Sequence, residues 1–408
     1  MKYKPIVMAL MCALFHPAYA YDEDEEAESL CESNGRAQLF HAGRTIHDPL
    51  QKPALDTELN LNLKSECDLA FPTVIEVRWK EMKEKSSIDL KQLYVLQEYE
   101  LGNWFMELKL GRQFLNAGVS DFLLLNSHQL PFNWVGVFTG RNYDDWQKPE
   151  DRFKFSLQHD TMGKLSLVAG KFVPSDIPQG RKMSYFHPFL GTLTNQEMDT
   201  EKRQDEPEFS LKYEKTIFGS SFVLYGYKGF YKSPLGIKSS SMKFYYPQVE
   251  SAGFSIEYGS SMAIFRMESV YLNSVEDPKE TDPFIPDSQV RYLISAEKEV
   301  ISGIMISSQF YEELPQGDST DENIWTATLG LRAMFFSDKL TFSAFYAQEE
   351  EVQGEIEQYL RGSLSYKFTD FIEGRIGGNT FKGKPNGRFG QFRKANNAYA
   401  ELNYYFNF

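Results

Sequence analysis

The 408-residue chain carries a formal net charge of −14, is 42% hydrophobic and 15% aromatic, with 23 Tyr and 33 Phe, and has a mean hydropathy of −0.44. Its acidity argues against nucleic acid or an anionic surface as a partner. No stretch after residues 1–20 is long and apolar enough for a membrane helix, so the aromatic excess needs another explanation.

Residues 1–20 read as a secretory signal, with Lys2 and Lys4 before an apolar core at 6–15 and the small-residue cleavage site Ala18-Tyr19-Ala20. The mature chain is expected to begin at Tyr21, with a formal charge of −16 once Lys2 and Lys4 are removed. Cys31 and Cys67 then remain. An even pair in an oxidising compartment favours a disulfide, and His41 and His47 add too few ligands for a metal site. Residues 21–69 open on the run Asp22-Glu23-Asp24-Glu25-Glu26 and are expected to form an acidic N-terminal segment ahead of the first strand.

From residue 70 onward the chain is a series of runs in which apolar and polar residues alternate. In 72–80, Ile75, Val77 and Trp79 oppose Glu76, Arg78 and Lys80; in 104–113, Trp104, Met106, Leu108 and Leu110 oppose Glu107 and Lys109. Further runs span 88–101, 152–160, 165–172, 207–216, 220–230, 252–258 and 262–272, then 288–299, 303–312, 323–336, 340–348, 358–368 and 371–381. The last run, 396–408, places Ala398, Ala400, Leu402, Tyr404, Phe406 and Phe408 on one face and Tyr399, Glu401, Asn403, Tyr405 and Asn407 on the other. Side chains of a strand alternate faces, so each run suits a wall between lipid and water.

That makes sixteen runs, joined alternately by short connections such as Gly102-Asn103 and Phe218-Gly219 and by long ones. The pattern predicts an all-β fold, a transmembrane antiparallel β-barrel of about 16 strands (range 14–18) over residues 70–408. Aromatic girdles at the two interfaces then account for the Tyr and Phe content. The expected location is the bacterial outer membrane, with outer-membrane lipid and lipopolysaccharide around the barrel. A closing strand with an aromatic C-terminus resembles the assembly signal of outer-membrane proteins, which implies the barrel-assembly machinery as a partner.

A barrel of this size encloses an aqueous passage narrowed by inserted loops. The inward parity collects Glu76, Arg78, Glu107, Lys109, Arg266, Glu268, Arg332, Glu373 and Arg375 as pore-lining charges. Their mixed signs predict no ion preference and fit a hydrated wall of paired charges. The loop 115–151 carries Phe132, Trp134, Arg141, Tyr143, Asp144 and Trp146, which are candidates for a constriction.

Residues 101–113, Leu-Gly-Asn-Trp-Phe-Met-Glu-Leu-Lys-Leu-Gly-Arg-Gln, followed by Gly118-Val119-Ser120-Asp121-Phe122-Leu123-Leu124-Leu125, resemble the signature of a proteobacterial family of porin-like outer-membrane proteins. That signature is a strand ending in Leu-x-x-Gly-Arg-Gln, then a Trp-Gly-Glu-x-Asp-Gly-like turn; here the turn has become Asn116-Ala117-Gly118 with Ser120-Asp121. Tyr225-Gly226-Tyr227-Lys228-Gly229-Phe230 before Pro234, Tyr246-Pro247, and Phe265-Arg266-Met267-Glu268-Ser269 extend the resemblance. It implies a porin or transporter of small, sometimes hydrophobic or aromatic, solutes, with alginate-export porins as a neighbouring family.

The expected function is therefore an outer-membrane channel for a small-molecule solute, with no cofactor. A surface receptor or adhesin using the long loops is the alternative. An outer-membrane hydrolase is a further one, but it needs a nucleophile and base together. His159 shares the face of Phe153, Phe155 and Leu157, while His128 and His187 lie in loops without a partner motif.

Overall fold

The computed structural model describes residues 31–46, 54–68, 71–82, 85–115, 125–177, 185–187, 191–193, 200–201, 206–241, 243–282, 284–316, 323–350 and 356–407. The signal-like residues 1–20 and the turn at 116–118 lie outside them. Eighteen antiparallel strands form one closed sheet. The first nine are β1 (Cys31–Arg44), β2 (Ala54–Cys67), β3 (Thr73–Met82), β4 (Lys85–Leu101), β5 (Trp104–Gln113), β6 (Glu150–His159), β7 (Gly163–Lys171), β8 (Pro207–Ile217) and β9 (Ser220–Phe230). The second nine are β10 (Gln248–Gly259), β11 (Ile264–Ser274), β12 (Gln289–Ile301), β13 (Ile304–Pro315), β14 (Ile324–Phe335), β15 (Leu340–Glu350), β16 (Ile356–Lys367), β17 (Ile372–Lys382) and β18 (Asn397–Asn407). Each strand pairs with the next in sequence, and β18 pairs with β1 from Asn34↔Asn407 to Arg44↔Asn397, which closes the barrel.

Every one of the sixteen predicted runs overlaps one of the strands β3 to β18. The correction lies at the start: the stretch expected to be an acidic segment ahead of the barrel supplies β1 and β2, so the wall begins at Cys31 rather than at residue 70. The reason is the weakness of the outward face of β1. It presents Gly35, Ala37, Leu39, His41 and Gly43, which hardly registers as apolar alternation. Cys31 and Cys67 are cross-strand partners joined by a disulfide, which ties the start of β1 to the end of β2.

Alternation decides what each face meets. Leu39, Leu110, Phe209, Leu224, Ile294, Leu329, Leu360, Ile376 and Leu402 are exposed on the outside, as a lipid-facing wall requires. At the short-turn end Phe71, Trp104, Phe218, Tyr258, Phe336, Phe368 and Tyr404 are also exposed, which is where an interfacial girdle belongs. The turn Phe218-Gly219 has φ of 50° and 77°; glycine takes the second without strain, and the first leaves the Phe218 ring 99% exposed.

Inside, among the described residues, long loops fold back onto the wall and contribute to two large apolar clusters. One gathers Phe40, Leu55, Tyr359, Phe381, Phe389, Phe392 and Tyr399; the other gathers Leu125, Tyr227, Tyr231, Val249, Leu272, Leu293 and Tyr311. The loop ends of the strands are thus packed with side chains, whereas the half nearer the short turns keeps polar cavities. A bulge in β4 sets Glu76 opposite Gln92 and Val77 opposite Leu90, so Lys91 is the extra residue; it is buried, with its amine 6.0 Å from the Phe114 ring.

Candidate functional site: a loop across the lumen

The connection from β5 to β6 crosses the barrel interior. At one side Leu125 enters the apolar cluster beneath β9 to β13, His128 Nε2 lies 2.9 Å from Ser251 Oγ, and Ser210 Oγ donates to Gln129 Oε1 at 2.7 Å. The chain then pairs with the segment after β7: the Phe132 amide donates to Ser175 Oγ at 2.9 Å, and the Trp134 amide to the Asp176 carbonyl at 2.9 Å.

A short helix, α1 (Trp134–Thr139), follows because Asn133 caps it, its side-chain oxygen accepting from the Gly136 amide at 3.0 Å. Gly140 ends it at φ 95°, and a Cβ there would sit 2.1 Å from the Tyr399 ring, so both the turn and the close approach require glycine. Phe138 on this helix packs against Phe381 and Phe392, with ring centroids 5.8 and 4.4 Å away.

The next six residues are clamped to the opposite wall by charge. Arg141 donates through Nε to Asp56 Oδ2 and through Nη2 to Glu58 Oε2, both at 2.7 Å, and its guanidinium lies 4.6 Å from the Phe40 ring. Asn142 donates to Glu401 Oε1 at 2.9 Å. Asp145 meets Arg78 at 2.5 Å and Arg36 at 3.8 Å. Arg361 Nη2 donates to the carbonyls of Gly140 and Arg141 at 3.2 and 3.0 Å, and Trp146 Nε1 donates to the Arg141 carbonyl at 2.9 Å. The clamp thus draws on β1, β2, β3, β16 and β18.

Burial alone would lower the Arg141 pKa, but Asp56 and Glu58 outweigh it and raise the value above the ordinary one. Burial would likewise raise that of Asp145, but Arg78, Arg36 and Arg141 hold it well below the usual carboxylate range. Both groups stay charged because each has a bonded partner of opposite sign.

What the clamp leaves uncovered is the tip. Tyr143 is 58% exposed and Asp144 is also exposed. Both line two cavities. One, of about 640 Å³, lies against Arg36, Asn62, Glu76 and Arg78. The other, of about 800 Å³, lies against Arg332, Thr341, Ser343, Arg361, Ser363 and Arg375. A third, of about 310 Å³, is walled by Lys109, Lys154, Lys164 and Lys212 beside Glu214.

Of the constriction candidates, Tyr143, Asp144 and Trp146 line the cavities, while Phe132 and Arg141 are buried and act as anchors. Trp134 packs between Phe132 and Phe138 instead, at ring distances of 5.4 and 6.1 Å. Among the charges, Glu76 accepts from Asn62 and Gln92, Glu107 pairs with Lys154 at 2.8 Å, and Lys109 lies 3.6 Å from the Tyr94 ring. Arg266 meets Glu257 at 2.6 Å and Glu297 at 3.6 Å, Glu268 is fully buried, and Arg332 faces the larger cavity. Arg375 pairs with Glu401, and Glu373 sits across from Asn403. Asp56, Glu58, Asn142 and Asp145, with Arg36, are partners in the clamp that lie outside the candidates named from the sequence. Asp56 and Glu58 lie in the segment read as preceding the barrel.

No protein-family model matches this sequence, and no curated protein does. Solved structures do match. Acinetobacter baumannii OccAB1 superposes with a TM-score of 0.56 at 9% identity, over 95% of this chain and 100% of that one. The fold is that of outer-membrane porins. Acinetobacter baumannii OccAB3 gives 0.54 at 11% identity over 93% and 99% of the two chains, and Pseudomonas aeruginosa OccK11 (OpdR) gives 0.53 at 10% over 93% and 96%. At such identities the likeness concerns the porin fold.

Proposed function

We propose that this porin-fold chain is an outer-membrane channel that passes small, water-soluble solutes, some of them aromatic, past the tip of the β5–β6 connection. The observation that carries the reading is a loop fixed across the lumen at buried charges while Tyr143 and Asp144 stay uncovered between two polar cavities. A solute moving along the wall meets a phenol and a carboxylate on one side and Arg332, Arg361 and Arg375 on the other. That pairing selects by size and charge together. The Leu-x-x-Gly-Arg-Gln resemblance, with alginate-export porins as neighbours, supports a transport role for the same lumen.

Planar-bilayer conductance tests this, with ions, sugars, fatty acids and aromatic compounds as blockers. Deleting residues 133–145 should raise single-channel conductance while the barrel still assembles. Unchanged conductance in a folded deletion variant would place the loop away from the path and shift weight to a surface receptor.

A further inference from the structure

Away from the loop tip, the inner wall of β5 to β8 near the short turns is built around a pair of serines. Ser156 and Ser166 are cross-strand partners, both buried, and their hydroxyls bond each other at 2.9 Å. Register places lysines around Ser166: Lys212 is its partner on β8, Lys164 precedes it by two residues on β7, and Lys154 stands diagonally on β6. Lys109 of β5 sits across from Lys154. All four lysines and Ser166 line the cavity of about 310 Å³. Gln129 and Leu130 of the β5–β6 connection line it on the long-loop side, where Ser210 donates to Gln129.

Two of the four cations are balanced within the wall. Lys154 meets Glu107 and Lys212 meets Glu214, both at 2.8 Å. Among the described residues no carboxylate lies within ion-pair distance of Lys109 or Lys164, and the Lys109 amine rests 3.6 Å from the Tyr94 ring. The next carboxylates on this face, Glu98 and Glu100 of β4, are exposed beyond Glu107 and Phe105 and do not line the cavity. The cavity therefore keeps two uncompensated cations in a chain of net charge −14, which is a local reversal of sign.

We infer, resting on the channel reading above, that this wall binds a small phosphate monoester on its way through the lumen. The phosphate sits over Ser166 between Lys154, Lys164 and Lys212, and Lys109 adds charge from behind Lys154. Donor chemistry narrows the anion to this class. A guanidinium fork matches the planar edge of a carboxylate, whereas this cavity offers ammonium groups and a hydroxyl, which donate from several directions toward the three oxygens of a tetrahedral group. With Ser156 donating to Ser166, the Ser166 proton is free for the anion. A phosphate monoester carries a charge of about −1.5 to −2 at neutral pH, which matches the two cations left unbalanced.

Isothermal titration calorimetry on the folded full-length mature protein in detergent tests the site, with phenyl phosphate, phenyl sulfate and succinate as probes. Phenyl phosphate should bind about tenfold tighter than phenyl sulfate, which has the tetrahedral shape with one charge, and than succinate, which has two charges on planar groups. Lys164→Gln should weaken phenyl phosphate about tenfold and K109Q/K164Q about a hundredfold, since a hydrogen bond to a charged group contributes at least one tenfold step. Glu214→Gln removes the lining carboxylate and should tighten binding, a gain that misfolding cannot produce. Lys228→Gln, an exposed residue outside the cavity, should change nothing. Unchanged affinity in K109Q/K164Q, an equal loss in Lys228→Gln, or equal affinity for succinate or phenyl sulfate would each overturn the inference. Planar-bilayer conductance separates it from the channel reading: protein that conducts but binds no phenyl phosphate loses only this site, whereas folded protein that binds it and conducts nothing loses the channel.

Discussion

Replacing Arg141 by Ala is the sharpest test of how the lumen is set. The guanidinium is 3% exposed and bonds Asp56 and Glu58 at 2.7 Å each, so its removal leaves two carboxylates buried without their cation. Breaking a buried pair from one side costs about 3–5 kcal/mol. Almost all of that cost falls on loop docking, because the backbone ladder of β2 is unaffected. A change of that size multiplies the undocked fraction by about two to four powers of ten. The expected result is a barrel that still assembles and remains heat-modifiable, with single-channel recordings that show higher mean conductance and frequent large excursions. Arg141→Lys keeps a point charge but loses the fork that reaches both acids, and should fall between. Adding Asp56→Asn and Glu58→Gln to Arg141→Ala removes the orphaned charges and should quieten the channel again. Recordings of Arg141→Ala indistinguishable from wild type would refute the idea that this ion pair holds the loop.

Asp144→Asn should shift the reversal potential in a salt gradient toward anions, since Arg332, Arg361 and Arg375 face the same cavity; Tyr143→Ala should raise conductance and weaken block by aromatic solutes. Deleting residues 405–408 removes the end of β18 that pairs with Asn34, Gly35 and Arg36, and heat-modifiable protein should vanish from the outer membrane. Thiol labelling of denatured, unreduced protein should find neither Cys31 nor Cys67 free. Burial, with Arg291 nearby, lowers the His128 pKa to about 4. The unfolded value is about 6.5, so the undocked loop binds the proton first and docking weakens as pH falls from about 6.5 to about 4. Conductance noise should rise over that window, and His128→Gln should flatten the response.

The barrel was legible wherever one face of a strand is both large and apolar. Trp104, Met106, Leu108 and Leu110 announce β5, and the alternation of β18 runs through Leu402, Tyr404 and Phe406. β2 carried a readable signal in Leu59, Leu61 and Leu63 against Glu58, Asn60 and Asn62. That signal stands alone, because β1 beside it has almost none and an acidic run precedes both. The cause is physical: at the seam the outward face is built from glycine and alanine, and period-two reasoning depends on contrast in side-chain size and polarity.

The site divides along a different line. Composition marked the β5–β6 connection as too aromatic for an exposed loop, and Arg141, Tyr143, Asp144 and Trp146 all end up at the crossing. Composition could not assign their roles. A buried arginine and an exposed tyrosine two residues apart look alike in a loop, and what separates them is the wall each one meets. Arg141 is buried because Asp56 and Glu58, 85 and 83 residues away, project inward at the height where the loop lands. Asp145 is buried because Arg78 and Arg36 do the same from the neighbouring strands. Such pairings have no sequence period, since they are fixed by barrel closure and by the register between strands. The inward charges of β1, β2 and β3 are therefore partly the receptor for a loop, and the solute is left with Tyr143 and Asp144 at the loop's tip on one side and Arg332 of β14 across the larger cavity on the other.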